Sequence, residues 1–118
     1  MSKILQKAID GARAIPYIKG QARVFSIITD RKGKIIASSG NSYITTHPAM
    51  YRTSRKLGLV KDFLHSEVSC MLKAKGVGYK IYVARVDSKG NPVAAFPCQV
   101  CQAYIKEAGF IREIHHTI

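Results

Sequence analysis

The sequence predicts an α/β fold, and three observations support it. After an initial hairpin, strand-like and helix-like stretches alternate along the chain, the pattern of helices packed on the faces of a sheet. The strand candidates are short runs rich in β-branched and aromatic residues, above all YKIYVARV at 79–86. The helix candidates carry apolar residues three and four apart and end at Pro16, at Gly76 or Gly78, and at Gly109.

Residues 2–14 place Ile4, Leu5, Ala8, Ile9 and Ala12 on one helical stripe, with Ser2 as N-cap and Pro16 as the stop. RVFSIITD, RKGK and IIASSG then read as strand, tight turn and strand, with Gly33 serving the turn. From Gly40 to about Leu64 polar, basic and turn residues mix. Here we expect a long functional loop holding a short helix at 48–57, closed by Gly58. The next helix runs from about His65 to Lys75. YKIYVARV follows as a strand, DSKGN as a turn and PVAAF as a further short strand. Pro97 opens a helix through Ala108, Gly109 stands at its C′ position, and FIREIHHTI closes the chain as a strand. The order is α-β-β-α-β-(β)-α-β. No repeat or linker interrupts it, so residues 1–118 read as a single domain.

Nineteen Lys and Arg against seven Asp and Glu give a net charge of +12. A field of that size attracts polyanions such as nucleic acid, nucleotides or a membrane surface; the bland alternative is a basic surface that only aids solubility. No apolar run approaches the roughly 20 residues of a membrane span, and charges every few residues break up any signal-peptide core at the N-terminus. We expect a soluble, cytoplasmic protein with no membrane partner. Three cysteines in such a chain argue against a disulfide framework.

Two of them, Cys98 and Cys101, form Cys-x-x-Cys at a helix start, which puts both sulfurs on one face of the first turn. The positive end of the helix dipole favours thiolates there. Upstream, His65 and Glu67 are two apart and point in opposite directions on an ideal helix. They share a pocket only if that helix begins at His65, and the apolar stripe of Val68, Met71 and Leu72 does start after them. Two facing helix starts would then offer one nitrogen and two sulfurs to one ion. That donor set suits Zn2+ with a fourth tetrahedral position open, or closed by His47, His115 or His116 in a purely structural site. Glu67, beside the open position, is placed to take a proton from water and pass it to a leaving amine. The arrangement H-x-E…P-C-x-x-C is the signature of zinc-dependent nucleobase deaminases.

On these motifs the chain resembles the cytidine and deoxycytidylate deaminase superfamily, most of all its small deaminase-like members from bacteriophages. IIASSGNSYITTHP looks like the family's second strand and its asparagine loop, and GFIREIHHT like its closing strand, so the likeness runs from about 22 to 117. It implies a cytidine-deaminase-like three-layer α/β/α fold with a mixed five-stranded sheet. It implies His65, Cys98 and Cys101 as zinc ligands and Glu67 as the proton shuttle. Asn41 would bind the sugar, and the backbone around Ser66, Phe96 and Pro97 would read the base's amino group. Ser66 and Phe96 depart from the family, which usually has Ala or Val and Ser or Thr there, and both positions bear on substrate choice. A homo-oligomer is implied as well, in the host cytoplasm if the chain is virus-encoded.

The expected activity is hydrolytic deamination of cytosine to uracil in (deoxy)cytidine nucleotides such as dCMP. Single-stranded nucleic acid is the alternative substrate, with cytosine favoured over adenine, and a non-catalytic zinc-stabilised nucleic-acid-binding domain is the alternative class. Cys70 reads as a buried core thiol, His115 and His116 as surface or packing residues, and His47 as either a phosphate contact or a loop-ordering residue. Arg52, Arg55 and Lys56 share a helix face that is either a phosphate clamp or ordinary solvated surface.

Overall fold

The structure, a computed structural model, describes residues 2–42, 47–58 and 65–118. Parts of the expected long loop, at 43–46 and 59–64, lie outside the described residues. Helix α1 (Lys3–Ala14) starts at Ser2, whose hydroxyl accepts from Leu5 N at 3.0 Å. Strands β1 (Arg23–Thr29) and β2 (Ile35–Gly40) pair antiparallel. The Asp30 carboxylate bridges their turn by accepting from the amides of Lys32 and Lys34, both at 2.9 Å, and Gly33 takes the left-handed backbone at φ +96°. Next come α2 (Pro48–Lys56), α3 (Ser66–Ala74), β3 (Lys80–Val86), β4 (Pro92–Val93), α4 (Gln99–Ala108) and β5 (Glu113–His116).

Strand β1 lies between β2 and β3 and is antiparallel to both. The far edge of β3 is shared. Strand β5 runs parallel along its first half and β4 antiparallel along its end, so the five-stranded sheet is mixed. Alternation along β1 and β3 divides the core into two sides. Ile27, Tyr82, Ala84 and Val86 pack under Ala8, Ile9 and Ala12 of α1. Ile28, Ile81 and Val83 pack against Cys70, Met71 and Ala74 of α3 and Ile105 of α4. Helices therefore cover both faces, giving the expected α/β/α layers. Among the described residues no helix is long and apolar enough to cross a membrane.

Two expected elements are shorter than predicted. PVAAF pairs only through Pro92 and Val93; Ala94–Phe96 then leaves the ladder. The chain's last strand, only Glu113–His116, ends beside that segment, and Thr117 ties the two together. The Thr117 hydroxyl donates to Val93 O and accepts from Arg85 N, while Thr117 O accepts from Ala95 N. Ala94–Phe96 is thereby freed from β3 to carry the chain toward Cys98. Helix α4 also begins two residues later than expected: Cys98 is its N-cap, and Pro97 precedes the cap rather than occupying the first turn.

Candidate metal centre

His65 is the N-cap of α3, with extended backbone (φ −74°, ψ 154°), and Cys98 is the N-cap of α4 in nearly the same conformation (φ −68°, ψ 169°). Neither side chain makes the usual capping hydrogen bond, and the two turn toward each other. The extended backbone at His65 answers the spacing problem: His65 stands outside the helix and Glu67 in its first turn, so both reach one pocket. Cys101, one turn into α4 and fully buried, adds the second sulfur.

The His65 Nδ1 lies 3.5 Å from Cys98 Sγ and 3.3 Å from Cys101 Sγ, and the three donor atoms are all within 4.8 Å of one another. A tetrahedral ion with Zn–S bonds of about 2.3 Å and Zn–N bonds of about 2.0–2.1 Å needs N···S edges of about 3.6 Å. The donor cage already has that size. The thiols respond to the same geometry. Cys98 is pulled down to about 3 by the hydrogen bond with Cys101 and by His65, against the cost of its burial. Cys101 is pushed well above the ordinary thiol range by its bond to Cys98, by burial and by Glu67. The pair thus holds one thiolate readily and resists the second, which is the ionisation a divalent cation between the sulfurs would drive. The residues present fit zinc in donor type, number and spacing.

Around the cage lies a cavity of about 290 Å³ lined by His65, Ser66, Glu67, Cys98, Asn41 and Phe96, with Arg85 and four small apolar residues completing the wall. Glu67 is 5% exposed. Its Oε1 accepts from the Ser66 hydroxyl at 2.9 Å, and the Ser66 oxygen lies 2.8 Å from Ser26 Oγ on β1. Since a carboxylate only accepts, the chain of donors runs Ser26 to Ser66 to Glu67. Ser26 and Ser66 are completely buried.

Asn41 reaches the cavity from the end of β2. Its Oδ1 accepts from Val24 N at 2.9 Å and its Nδ2 donates to Ala22 O at 3.0 Å, leaving one lone pair and one N–H for a ligand. Phe96, 59% exposed, stands at the mouth with its ring edge against His116, centroids 5.1 Å apart. Pro97 is buried and not among the lining residues; its carbonyl accepts from Gln102 Nε2 at 2.7 Å.

The other candidates stand apart. Cys70 is buried, its thiol raised to about 12 by desolvation, and it donates to Ser26 O. His115 stacks on Tyr82 and pairs with Glu113. His47 caps α2 by accepting from Ala49 N at 3.0 Å. Lys56 pairs with Glu107 at 3.0 Å and Arg55 lies over the Tyr51 ring; with Arg52 they belong to the α2–α4 side, outside the cavity lining. Arg85 went unnoticed in the sequence, although a signal was there: period two puts it on the same face as Ile81 and Val83, a cation on a core-facing row.

Comparison with known proteins points to a zinc-binding family. The family model described as "Cytidine and deoxycytidylate deaminase zinc-binding region" matches residues 1–117. Among solved structures, a mutant cytidine deaminase from Mycobacterium tuberculosis is similar at 20% identity and a TM-score of 0.48, over 94% of this chain and 81% of that one. No curated protein matches the chain.

Proposed function

Given that this chain belongs to the cytidine and deoxycytidylate deaminase zinc-binding family, we propose that it is a hydrolytic deaminase converting cytosine to uracil in (deoxy)cytidine nucleotides such as dCMP. The observation that carries the reading is the convergence of His65 Nδ1 and the Cys98 and Cys101 sulfurs, beside a buried Glu67, at the wall of a cavity lined by His65, Glu67 and Cys98.

His65, Cys98 and Cys101 would hold zinc, which when bound supplies a Lewis acid that lowers the pKa of water at its open position. The chain's own residues do the rest. Glu67 takes a proton from the water that attacks C4 and returns it to the departing amino nitrogen, while the second water proton ends on ring N3, so that ammonia leaves and the carbonyl of uracil remains. Ser66 fixes Oε1 of that carboxylate, leaving its remaining lone pairs for the proton transfers. Asn41, itself braced by Ala22 and Val24, offers its spare donor and acceptor to the sugar. The backbone near Ser66, Phe96 and Pro97 flanks the amino group, and the Phe96 ring gives the base an apolar neighbour at the mouth. A cytoplasmic location, a homo-oligomer and kinship with bacteriophage deaminases go with this reading on the resemblance alone.

The test is ammonia release by the zinc-loaded protein with dCMP, deoxycytidine and a cytosine-containing single strand side by side. We expect turnover, and we expect Glu67→Gln to keep its zinc and its circular-dichroism spectrum while losing about 10²–10⁴ in rate. Undiminished activity in that variant would remove Glu67 from the mechanism. A second reading, cytosine deamination within single-stranded DNA or RNA, is favoured by the +12 charge and the exposed Phe96 at the mouth.

A further inference from the structure

The metal cage occupies one end of the sheet, beside the start of β1 and the finish of β3. The opposite end, where β1 finishes and β3 and β5 begin, is rich in cations. Strands β1 and β3 are each seven residues long, so at about 3.3 Å per residue the two ends stand about 20 Å apart. Tyr79 is the node of this far end. Its N–H donates to Thr29 O at 2.8 Å, and its carbonyl accepts from the amides of Arg112 at 2.7 Å and Glu113 at 3.2 Å. Those bonds gather Arg31, Lys80 and Arg112 from three parts of the chain, and the Arg31 guanidinium lies 5.8 Å from the centre of the Tyr79 ring. Lys32 and Lys34 stand in the adjoining β1–β2 turn, and Lys75 heads the loop that leads into β3. Five of these six cations are exposed and Lys80 is half-buried, and none takes part in an ion pair among the described residues. The two carboxylates at this end are engaged elsewhere: Asp30 accepts from the amides of Lys32 and Lys34, and Glu113 pairs with His115. Lys75 adds a second observation. It caps α3 at φ 53°, and among the described residues it is the one non-glycine with positive φ. A long cation is thus kept where the backbone favours glycine.

Guanidinium and ammonium groups grouped around an aromatic ring suit the phosphates of a polyanion, and two arginines among them suit phosphate oxygens best. Turns and strand ends carry these cations rather than an amphipathic helix, which sets the surface apart from an interfacial membrane anchor. We propose that this end of the sheet is a docking surface for the sugar-phosphate backbone of a nucleic-acid strand, separate from the catalytic cavity. A strand held there is an anchor and not a substrate. The proposal stands whether or not the cavity deaminates a nucleotide, and it places much of the chain's positive charge away from that cavity.

The probe is a fluorescein-labelled oligothymidylate of about 20 nucleotides, which offers the cavity no cytosine. Anisotropy titrations of the zinc-loaded protein should show binding that weakens steeply with salt. Arg31→Gln combined with Arg112→Gln should weaken it about tenfold or more at low salt. The same pair should flatten the slope of log affinity against log salt by about 1.4, the share of two phosphate contacts on a single strand. Lys19→Gln combined with Lys89→Gln removes as much charge from the loops at the cavity end and should change affinity less than about twofold. Lys75→Gly relieves the backbone, so its melting temperature should hold or rise while its affinity falls. Equal losses in the two double variants would trace binding to bulk charge and overturn the surface, as would wild-type protein that leaves the oligothymidylate unbound. Loss of binding in Phe96→Ala would route the strand across the catalytic mouth and overturn it as well. Vesicles of phosphatidylglycerol form the last arm. Vesicle binding that falls in the Arg31→Gln and Arg112→Gln protein, while oligothymidylate binding holds, would give this end to a lipid surface and end the proposal.

Discussion

Ser66 sits between His65 and Glu67, the proposed ligand and proton shuttle, and its hydroxyl donates to the Glu67 carboxylate. That bond, backed by Ser26, holds the carboxylate from behind. Ser66→Ala leaves the three ligands untouched, so we expect full zinc content by elemental analysis and a fall in kcat of about tenfold or more. Because Ser26 acts only through Ser66, Ser26→Ala combined with Ser66→Ala should cost little beyond Ser66→Ala alone, a non-additivity that a double-mutant cycle reads directly. At this scale the sequence was most legible for the metal cage. A tetrahedral ion needs donors at fixed separations, and short spacings at helix starts meet that need locally, so His65, Cys98 and Cys101 could be read from motif alone. Ser26 could not. It meets Ser66, a residue far away in the chain, only because strand β1 packs beside α3, and no local pattern encodes that distance.

Among the elements, α1 approaches the sheet through Gly11. A Cβ there would lie 2.6 Å from the Phe25 ring, closer than carbon atoms tolerate. Alanine improves helix propensity by about 1 kcal/mol, but overpacking against a ring wedged between helix and strand costs about 1–3 kcal/mol. Gly11→Ala should therefore lower the melting temperature by calorimetry. The two hairpin turns share one device, an aspartate accepting from amides two and four residues on, and both carboxyls are held below the ordinary value of 3.8. The largest cause is the hydrogen bond from the amide of Lys34 for Asp30 and of Asn91 for Asp87. With the folded pKa below the unfolded one, their contribution is complete above the unfolded value and is lost as pH falls through the folded one. The stability gap between wild type and Asp30→Asn, measured by urea unfolding, should thus narrow from pH 5 toward pH 3. Element order, turn positions and the start of α3 were readable because each follows from local periodicity and capping. The truncation of β4 and the late start of α4 were not, since both depend on which strand takes the far edge of β3, a competition settled only in three dimensions.

Across the whole molecule, the metal cage joins two helices from different parts of the chain, so an ion held there acts on the folded state and not on the unfolded one. Removing it with a chelator should lower the melting temperature by on the order of 10 °C, and adding zinc back should restore it. Acid should do the same as the chelator, because protons compete for the thiolates. The +12 charge gives binding to any single strand a steep salt dependence, which titration at several ionic strengths would show. The knot of bonds at Thr117 has a consequence for heat tolerance. The last strand, four residues long, pairs parallel with β3 and borders the cavity wall at Ala94–Phe96, so fraying at this end distorts the cavity while both helical layers remain packed. Incubation at rising temperature should silence the protein several degrees before its ellipticity collapses, and Thr117→Val should widen that interval.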